Sequence, residues 1–273
     1  MVRLGIDLGG TKTEIIALGV ENEPLLRRRV PTPRGNYEAT VATIAQLVHD
    51  ADRELGTRGS VGIGTPGAPS LADGRIKNAN STWLLGQPLR DDLEAALGRA
   101  IRMTNDANAF TLSEATDGAA SNARFVFGVI LGTGVGGGIA VNRHIHEGHN
   151  LIAGEWGHVA LPWRRPDEIP GPACYCGKYG CIETFLSGPA LERDGSIERY
   201  EERLARALAM IVNIMDPDAI VLGGGVSNIT QLYEAVPALM RGYVFSDTFS
   251  TPIVRAIHGD SSGVRGAAML WEE

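Results

Sequence analysis

Three cysteines and one histidine carry the most specific chemistry in this chain. Cys174, Cys176 and Cys181 fall within the segment Cys174-Tyr175-Cys176-Gly177-Lys178-Tyr179-Gly180-Cys181-Ile182-Glu183, and His158 stands upstream in Gly154-Glu155-Trp156-Gly157-His158. One imidazole and three thiolates make a tetrahedral structural zinc set. The Cys-x-Cys gap is tighter than most zinc spacings, so spacing alone is not decisive. The other histidines, His49, His144, His146, His149 and His258, read as surface residues. No further cysteine occurs in the chain, and a single cluster in a reducing compartment reads as ligands rather than as a disulfide framework. Glu155 and Glu183 flank the set, and carboxylates are good acceptors for sugar hydroxyls. Paired carboxylates also suit a glycosidase, which has no use for the phosphate-binding turns that follow.

Asp7-Leu8-Gly9-Gly10-Thr11-Lys12 is a tight turn in which bare backbone can approach an anion. Gly9, Gly10, Thr11 and Lys12 would line a nucleotide there, and Asp7 would hold Mg²⁺ through water. Taken alone, the motif is equally an ordinary hairpin turn, and it is not a Walker loop. Leu131-Gly132-Thr133-Gly134-Val135-Gly136-Gly137-Gly138 is its counterpart in the second half, with Thr133 and Gly134 as nucleotide candidates. Its glycines exceed what a hairpin needs, and a phosphate-facing role would offset their cost. Gly223-Gly224-Gly225 follows a strand and precedes helical sequence, a setting that suits adenosine or a plain αβ loop. Asn105-Asp106-Ala107-Asn108 opens a helix. Asp106 is either its N-cap or a general base taking a hydroxyl proton during phosphoryl transfer, and the two roles are compatible.

The pattern predicts strands over 2–8, 13–20, 25–30 and 61–64, and helices from near Asn36 to Leu55 and over 88–97. A short strand over 101–103 leads to the helix at Asp106. The pattern then restarts with strands over 125–131 and 135–141, a helix over 197–215, a strand over 219–222, a helix from about Ser227, a strand over 253–256 and a closing helix from about Ser262. Each half begins with a strand, a glycine turn and a strand, a weak repeat of architecture. The alternation predicts an α/β sheet in each half. The expected lobes are 1–104, with the helix of about 262–273 packing back on it, and 105–273, with a zinc-bearing, loop-built insertion over about 143–190.

The 273 residues carry a formal net charge of -7 and are 44% hydrophobic. That supplies a core and argues against nucleic acid as a partner. The most apolar helical stretch, Leu204 to Met215, is broken by Arg206 and Asn213 and is short of the ~20 residues a membrane span needs. Without a leader pattern at Met1, the expected location is the cytoplasm.

These motifs together resemble the ROK family of sugar kinases and sugar-responsive repressors, over nearly the whole length. The resemblance implies an actin-like ATPase, ribonuclease H-like (hexokinase-type) fold with two lobes closing on ATP and sugar. It implies Asp106 as catalytic base, Asn105, Glu155, His158 and Glu183 as sugar contacts, His158, Cys174, Cys176 and Cys181 as zinc ligands, and phosphate-binding turns at Gly9–Thr11 and Thr133–Gly134. Lys77-Asn78-Ala79-Asn80-Ser81-Thr82-Trp83 and Cys174-Tyr175-Cys176 most resemble fructokinases that also act on mannose, with Asn80 in the sugar pocket. Val61-Gly62-Ile63-Gly64-Thr65-Pro66-Gly67 and Gly134–Gly138 are shared with N-acetylglucosamine kinases. The expectation is an ATP-dependent hexose kinase favouring fructose, using Mg²⁺ and Zn²⁺ and working as a homodimer. Its alternatives are an N-acetylglucosamine kinase, a catalytically weak sugar sensor and an actin-like motor. A bulky Trp83 at the pocket would disfavour an N-acetyl arm. Family repressors carry an N-terminal DNA-binding module, and here the sheet is expected to begin at once. Family members also carry a helical segment between Ser187-Gly188 and the helix ending at Asp216-Pro217 that this chain nearly lacks, which bears on the expected dimer contact.

Overall fold

Arg3–Leu8 (β1) turns through Gly9 and Gly10 into Lys12–Leu18 (β2), and Pro24–Pro31 (β3) pairs with β2 at the sheet edge. The structure, a computed structural model, describes residues 1–271. Tyr37–Leu55 (α1) begins where the Asn36 side chain accepts the Ala39 N–H and stops at Gly56 in the left-handed region. Ser60–Thr65 (β4) follows, then a small hairpin of Ala68–Pro69 (β5) and Ile76–Lys77 (β6), the helix Leu89–Leu97 (α2) and Ile101–Asn105 (β7). The sheet order is β3-β2-β1-β4-β7, with β1, β4 and β7 parallel and the β1–β2–β3 meander antiparallel. Alternation decides its faces. Leu4, Ile6, Leu8, Val61 and Ile63 pack with Ile44, Val48 and Leu93 from α1 and α2 in one core.

Asp106–Thr116 (α3) leads to the second sheet, of order β10-β9-β8-β11-β12. Its strands are Phe125–Leu131 (β8), Val135–Val141 (β9), His144–Ile145 (β10), Ala219–Gly223 (β11) and Ile253–Arg255 (β12). The pairing pattern repeats the first sheet: an antiparallel meander of β8, β9 and β10, then parallel β11 and β12. Glu183–Leu186 (α4), Gly188–Asp194 (α5), Ile197–Met215 (α6) and Leu232–Met240 (α7) complete this half. Ser196 caps α6 by accepting the Arg199 N–H, and Leu204, Leu208 and Ile211 carry its apolar stripe into a core with Phe127, Val129, Ile220 and Leu222. The helix expected from Ser227 starts only at Leu232. A single 3₁₀ turn, Gly225–Asn228, precedes it, because Ser227 Oγ donates to the Gly224 carbonyl and the Tyr233 hydroxyl to the Ser227 carbonyl. Short polar side chains bonding backbone in this way compete with helix formation.

Ser262–Met269 (α8) returns to the first sheet. It lies on the face opposite α1 and α2, where glycines stand in place of side chains. A Cβ on Gly5 would fall 2.1 Å from the Val264 carbonyl, and one on Gly62 would fall 1.9 Å from that of Ala267. Two compact units result. One comprises Met1–Ser113, Glu147–Leu151 and the described residues from Ser261; the other comprises Glu114–His146 and Ile152–Asp260. The division expected at 104/105 instead falls inside α3, and part of the expected 143–190 insertion, Glu147–Leu151, belongs with the first unit. Among the described residues no helix is long and apolar enough to cross a membrane.

Candidate functional site

In the first unit, the turn after β1 is held rigid while its own donors stay at the surface. The Gly9 N–H bonds the Lys12 carbonyl at 3.0 Å, Thr32 Oγ donates to the Gly9 carbonyl at 2.8 Å, and the Thr32 N–H donates to that of Thr11. Gly10, Thr11 and Lys12 are exposed. Asp7 sits across the ladder from Glu14. Glu14 is buried and gripped by Arg27 and Arg29. Burial first, then the Asp106 and Glu14 carboxylates, push the Asp7 carboxyl up to about 7.

Asn105, not Asp106, caps α3. Its Oδ1 accepts the Asn108 N–H at 2.7 Å, while Asp106, exposed, folds Oδ1 back to its neighbour's Ala107 N–H at 2.8 Å. The side-chain oxygen of Asn105, a residue expected to contact the sugar, serves the helix, and its amide NH₂ is not part of the cap. Asn80 is exposed. Trp83 is half-buried and packs against the first core.

In the second unit three backbone turns converge. The Gly132 N–H bonds the Gly134 carbonyl within the β8–β9 turn, and the Gly132 carbonyl accepts the Gly188 N–H at 2.7 Å. Gly224, at φ +81°, lies so close to Leu131 that a Cβ would fall 2.4 Å from its carbonyl oxygen. Glycine is required there on both counts. Thr133 and Gly134, Gly223 to Gly225, and the start of α5 at Ser187-Gly188 thus form one backbone cluster. Sequence reasoning had used Ser187-Gly188 only as a landmark. Glu183 joins the cluster too: its Oε2 accepts the Val135 N–H at 3.0 Å and would meet a Cβ on Gly134 at 2.6 Å. Within the glycine run beyond the turn, Gly137 is required by packing. A Cβ on Gly137 would strike the Gly154 carbonyl and the Trp156 ring, both at 2.6 Å. Trp156 Nε1 donates to the Gly136 carbonyl, which fixes Glu155 and His158 on either side of it.

His158, Cys174, Cys176 and Cys181 come together, with all four ligand atoms within 4.8 Å of one another. Cys174 Sγ is 3.5 Å from His158 Nδ1, and Cys176 Sγ is 3.6 Å from Cys181 Sγ. A tetrahedral zinc with ordinary bond lengths puts such edges at about 3.6 and 3.8 Å. Burial pushes the Cys181 thiol up to about 12 and raises Cys174, while the Lys178 N–H holds Cys176 down. A divalent cation is the partner that makes three adjacent thiolates tenable. In the same unit Glu168, which sequence reasoning missed, is buried against Arg203 and Arg206 of α6. Its only sequence signal was Arg206 interrupting an apolar stripe.

The sequence profile of the ROK family matches residues 3–198 and 194–273. The chain belongs to the ROK family. The two matched segments meet at 194–198, where the sequence lacks the expected helical segment. A curated relative from Pectobacterium atrosepticum, named N-acetyl-D-glucosamine kinase, is 39% identical over 97% of each chain. Its alignment runs over 296 positions against 273 residues here, so the relative carries residues that this chain lacks. Among solved structures, the ROK hexokinase from Thermus thermophilus superposes with a TM-score of 0.87 at 32% identity, covering 99% of this chain and 97% of that one. The ROK family glucokinase from Streptomyces griseus, in complex with glucose and AMPPNP, gives 0.81 at 27%, covering 99% of both. The fold is therefore the hexokinase-type, actin-like ATPase fold. The expected preference for fructose does not hold. Relatives at 38% to 42% identity over 97% of this chain are named for N-acetyl-D-glucosamine. The fructokinase-like spelling lay in two short segments, and Trp83 in one of them is half-buried against the first core.

Proposed function

We propose that this protein transfers the γ-phosphoryl group of ATP to the 6-hydroxyl of N-acetyl-D-glucosamine. The near-full-length similarity to N-acetyl-D-glucosamine kinases carries the substrate choice. The preserved chemistry of both units supports it. In the first unit Asp106 accepts the proton of the attacking hydroxyl, its orientation set by the Ala107 N–H. The firmly braced Gly9–Lys12 turn offers backbone and Thr11 donors to phosphate oxygens. In the second unit Thr133, Gly134 and Gly223 to Gly225 bring further bare backbone to the nucleotide, and Glu155, His158 and Glu183 take sugar hydroxyls.

Two metals fit the residues present. Asp7, raised by burial and then by the neighbouring Asp106 carboxylate, would hold Mg²⁺ bound with ATP, which would supply charge neutralisation of the phosphates. His158, Cys174, Cys176 and Cys181 suit Zn²⁺, which supplies a rigid cross-link between the 154–158 and 174–183 segments. The deciding experiment is a coupled ADP-release assay ranking kcat/KM for N-acetylglucosamine, glucose, mannose and fructose. N-acetylglucosamine is expected to lead. A lead for any of the others overturns the substrate assignment, and no turnover with any of them overturns the kinase reading.

A further inference from the structure

Thr104 is buried at the end of β7, just before Asn105 and Asp106, and its hydroxyl serves two partners. Oγ1 donates to Glu147 Oε1 at 2.8 Å and accepts from Asn108 Nδ2 at 3.2 Å. Glu147 stands 43 residues away in sequence. The segment it opens, Glu147–Leu151, nevertheless packs within the first unit, together with β7 and the start of α3.

A hydroxyl has one proton to give, and a carboxylate oxygen only accepts. Glu147 therefore takes the Thr104 proton and leaves the Thr104 oxygen to accept from the Asn108 amide. Without an acceptor-only partner, the hydroxyl would be free to turn its proton toward Asn108 and reverse that amide. Asn108 Oδ1 is buried and has no hydrogen-bond partner among the described residues. The contact with Thr104 thus decides how the Asn108 side chain sits.

Asn108 is held through its backbone as well, since its N–H donates to Asn105 Oδ1 at 2.7 Å. Two cross-links, from 104 to 108 and from 105 to 108, bracket the junction where β7 becomes α3. Asn105, with its amide outside the cap, and Asp106 lie inside that bracket. Asp106 Oδ1 accepts the adjacent Ala107 N–H, so its carboxylate moves with the first turn of α3. We infer that Glu147 and Thr104 are positioning residues for the phosphoryl transfer: Glu147 orients the Thr104 hydroxyl, which holds Asn108 and with it the junction that presents Asn105 and Asp106 to the sugar. The inference rests on Asp106 being the base of the proposed kinase.

The test uses the full-length protein in steady-state assays, with N-acetylglucosamine and ATP varied separately. Thr104→Val keeps the shape of the side chain and removes its hydroxyl. Glu147→Ala removes the acceptor from a half-buried position and leaves the core untouched. Each should lower kcat about 10-fold and raise the KM for N-acetylglucosamine, within the ~10²-fold that a small misplacement can cost. The KM for ATP should stay within about twofold, since the Gly9–Lys12 turn lies outside the bracket. Glu147→Gln, which keeps an acceptor oxygen, should recover most of the loss. Combining Thr104→Val with Glu147→Ala should cost little more than either alone, because the two act through one contact. If both single variants keep kcat and the sugar KM within about twofold of wild type, the positioning role is overturned and the kinase reading stands. If the KM for ATP rises as much as that for the sugar, the pair serves the fold at large and the role is overturned likewise. If wild type turns over no sugar, the kinase reading falls and this inference with it.

Discussion

Replacing Glu168 by Gln keeps the shape of a buried side chain and removes its charge. In the structure Glu168 Oε1 accepts from Arg203 Nε at 2.9 Å and Arg206 Nη2 at 2.8 Å, and Oε2 accepts from Arg206 Nη1 and the Arg165 N–H, both at 2.9 Å. Burial alone would raise this carboxyl, but the hydrogen bonds from Arg206, Arg165 and Arg203 outweigh it and lower it from 4.5 to about 2. A depression of that size corresponds to roughly 3 kcal/mol of folding stability at pH 7. That agrees with the ~3–5 kcal/mol commonly lost when one partner of a buried ion pair is removed. The sign follows from the depressed value. The stabilisation is complete above the unfolded carboxylate range and is lost as pH falls toward 2, leaving about half of it near pH 3. Guanidinium unfolding of wild type and Glu168→Gln, followed by circular dichroism at several pH values, measures the difference. The variant should be less stable by about 3 kcal/mol at neutral pH, with the gap narrowing below pH 4. A difference under about 1 kcal/mol, or one that stays flat across that range, would refute the account.

Asp106→Asn should cut turnover by about 10²- to 10⁴-fold with little change in sugar affinity or melting temperature, and near-full turnover in steady-state assays would remove Asp106 from the chemistry. Metal analysis of protein purified without added metal should find one zinc per chain, and Cys176→Ser should release it; metal-free protein whose three thiols all titrate freely would exclude the site. Gly224→Ala should cost about 1–3 kcal/mol in thermal unfolding and raise the KM for ATP, since its Cβ would press on the Leu131 carbonyl; an unchanged melting temperature would show that this contact can relax.

The strands were legible because buried parallel strands write themselves as short apolar runs bounded by glycine and proline, and every one of the longer strands lies within a residue or two of its expected place. Helix α6 was legible from its stripe. The start of α7 was not, since Ser227 and Asn228 bond backbone locally and such competition leaves no periodic signal. The metal set could be read from residue type and cluster, but the glycines near it were ambiguous. Gly134 and Gly137 look alike in sequence, yet one borders Glu183 and the turn while the other yields space to Gly154 and Trp156. The Glu168–Arg203–Arg206 network was hidden because arginines on a helix read as a solvated face until a carboxylate from a distant loop is seen to cover them. Sugar preference was misread because it was sought in loop spelling, where few residues constrain the answer.

The glycine-lined face of β1 and β4 has a consequence for the order of events during synthesis. Gly5 and Gly62 are shaped to receive the backbone of Val264 to Ala268, residues made some two hundred positions later. A ribosome-bound chain that already has its first sheet must therefore hold one side of it uncovered until α8 emerges. Translation speed through the second unit, chaperone occupancy of that bare face and truncation shortly before residue 262 should all influence the yield of folded protein. None of the three touches a catalytic residue.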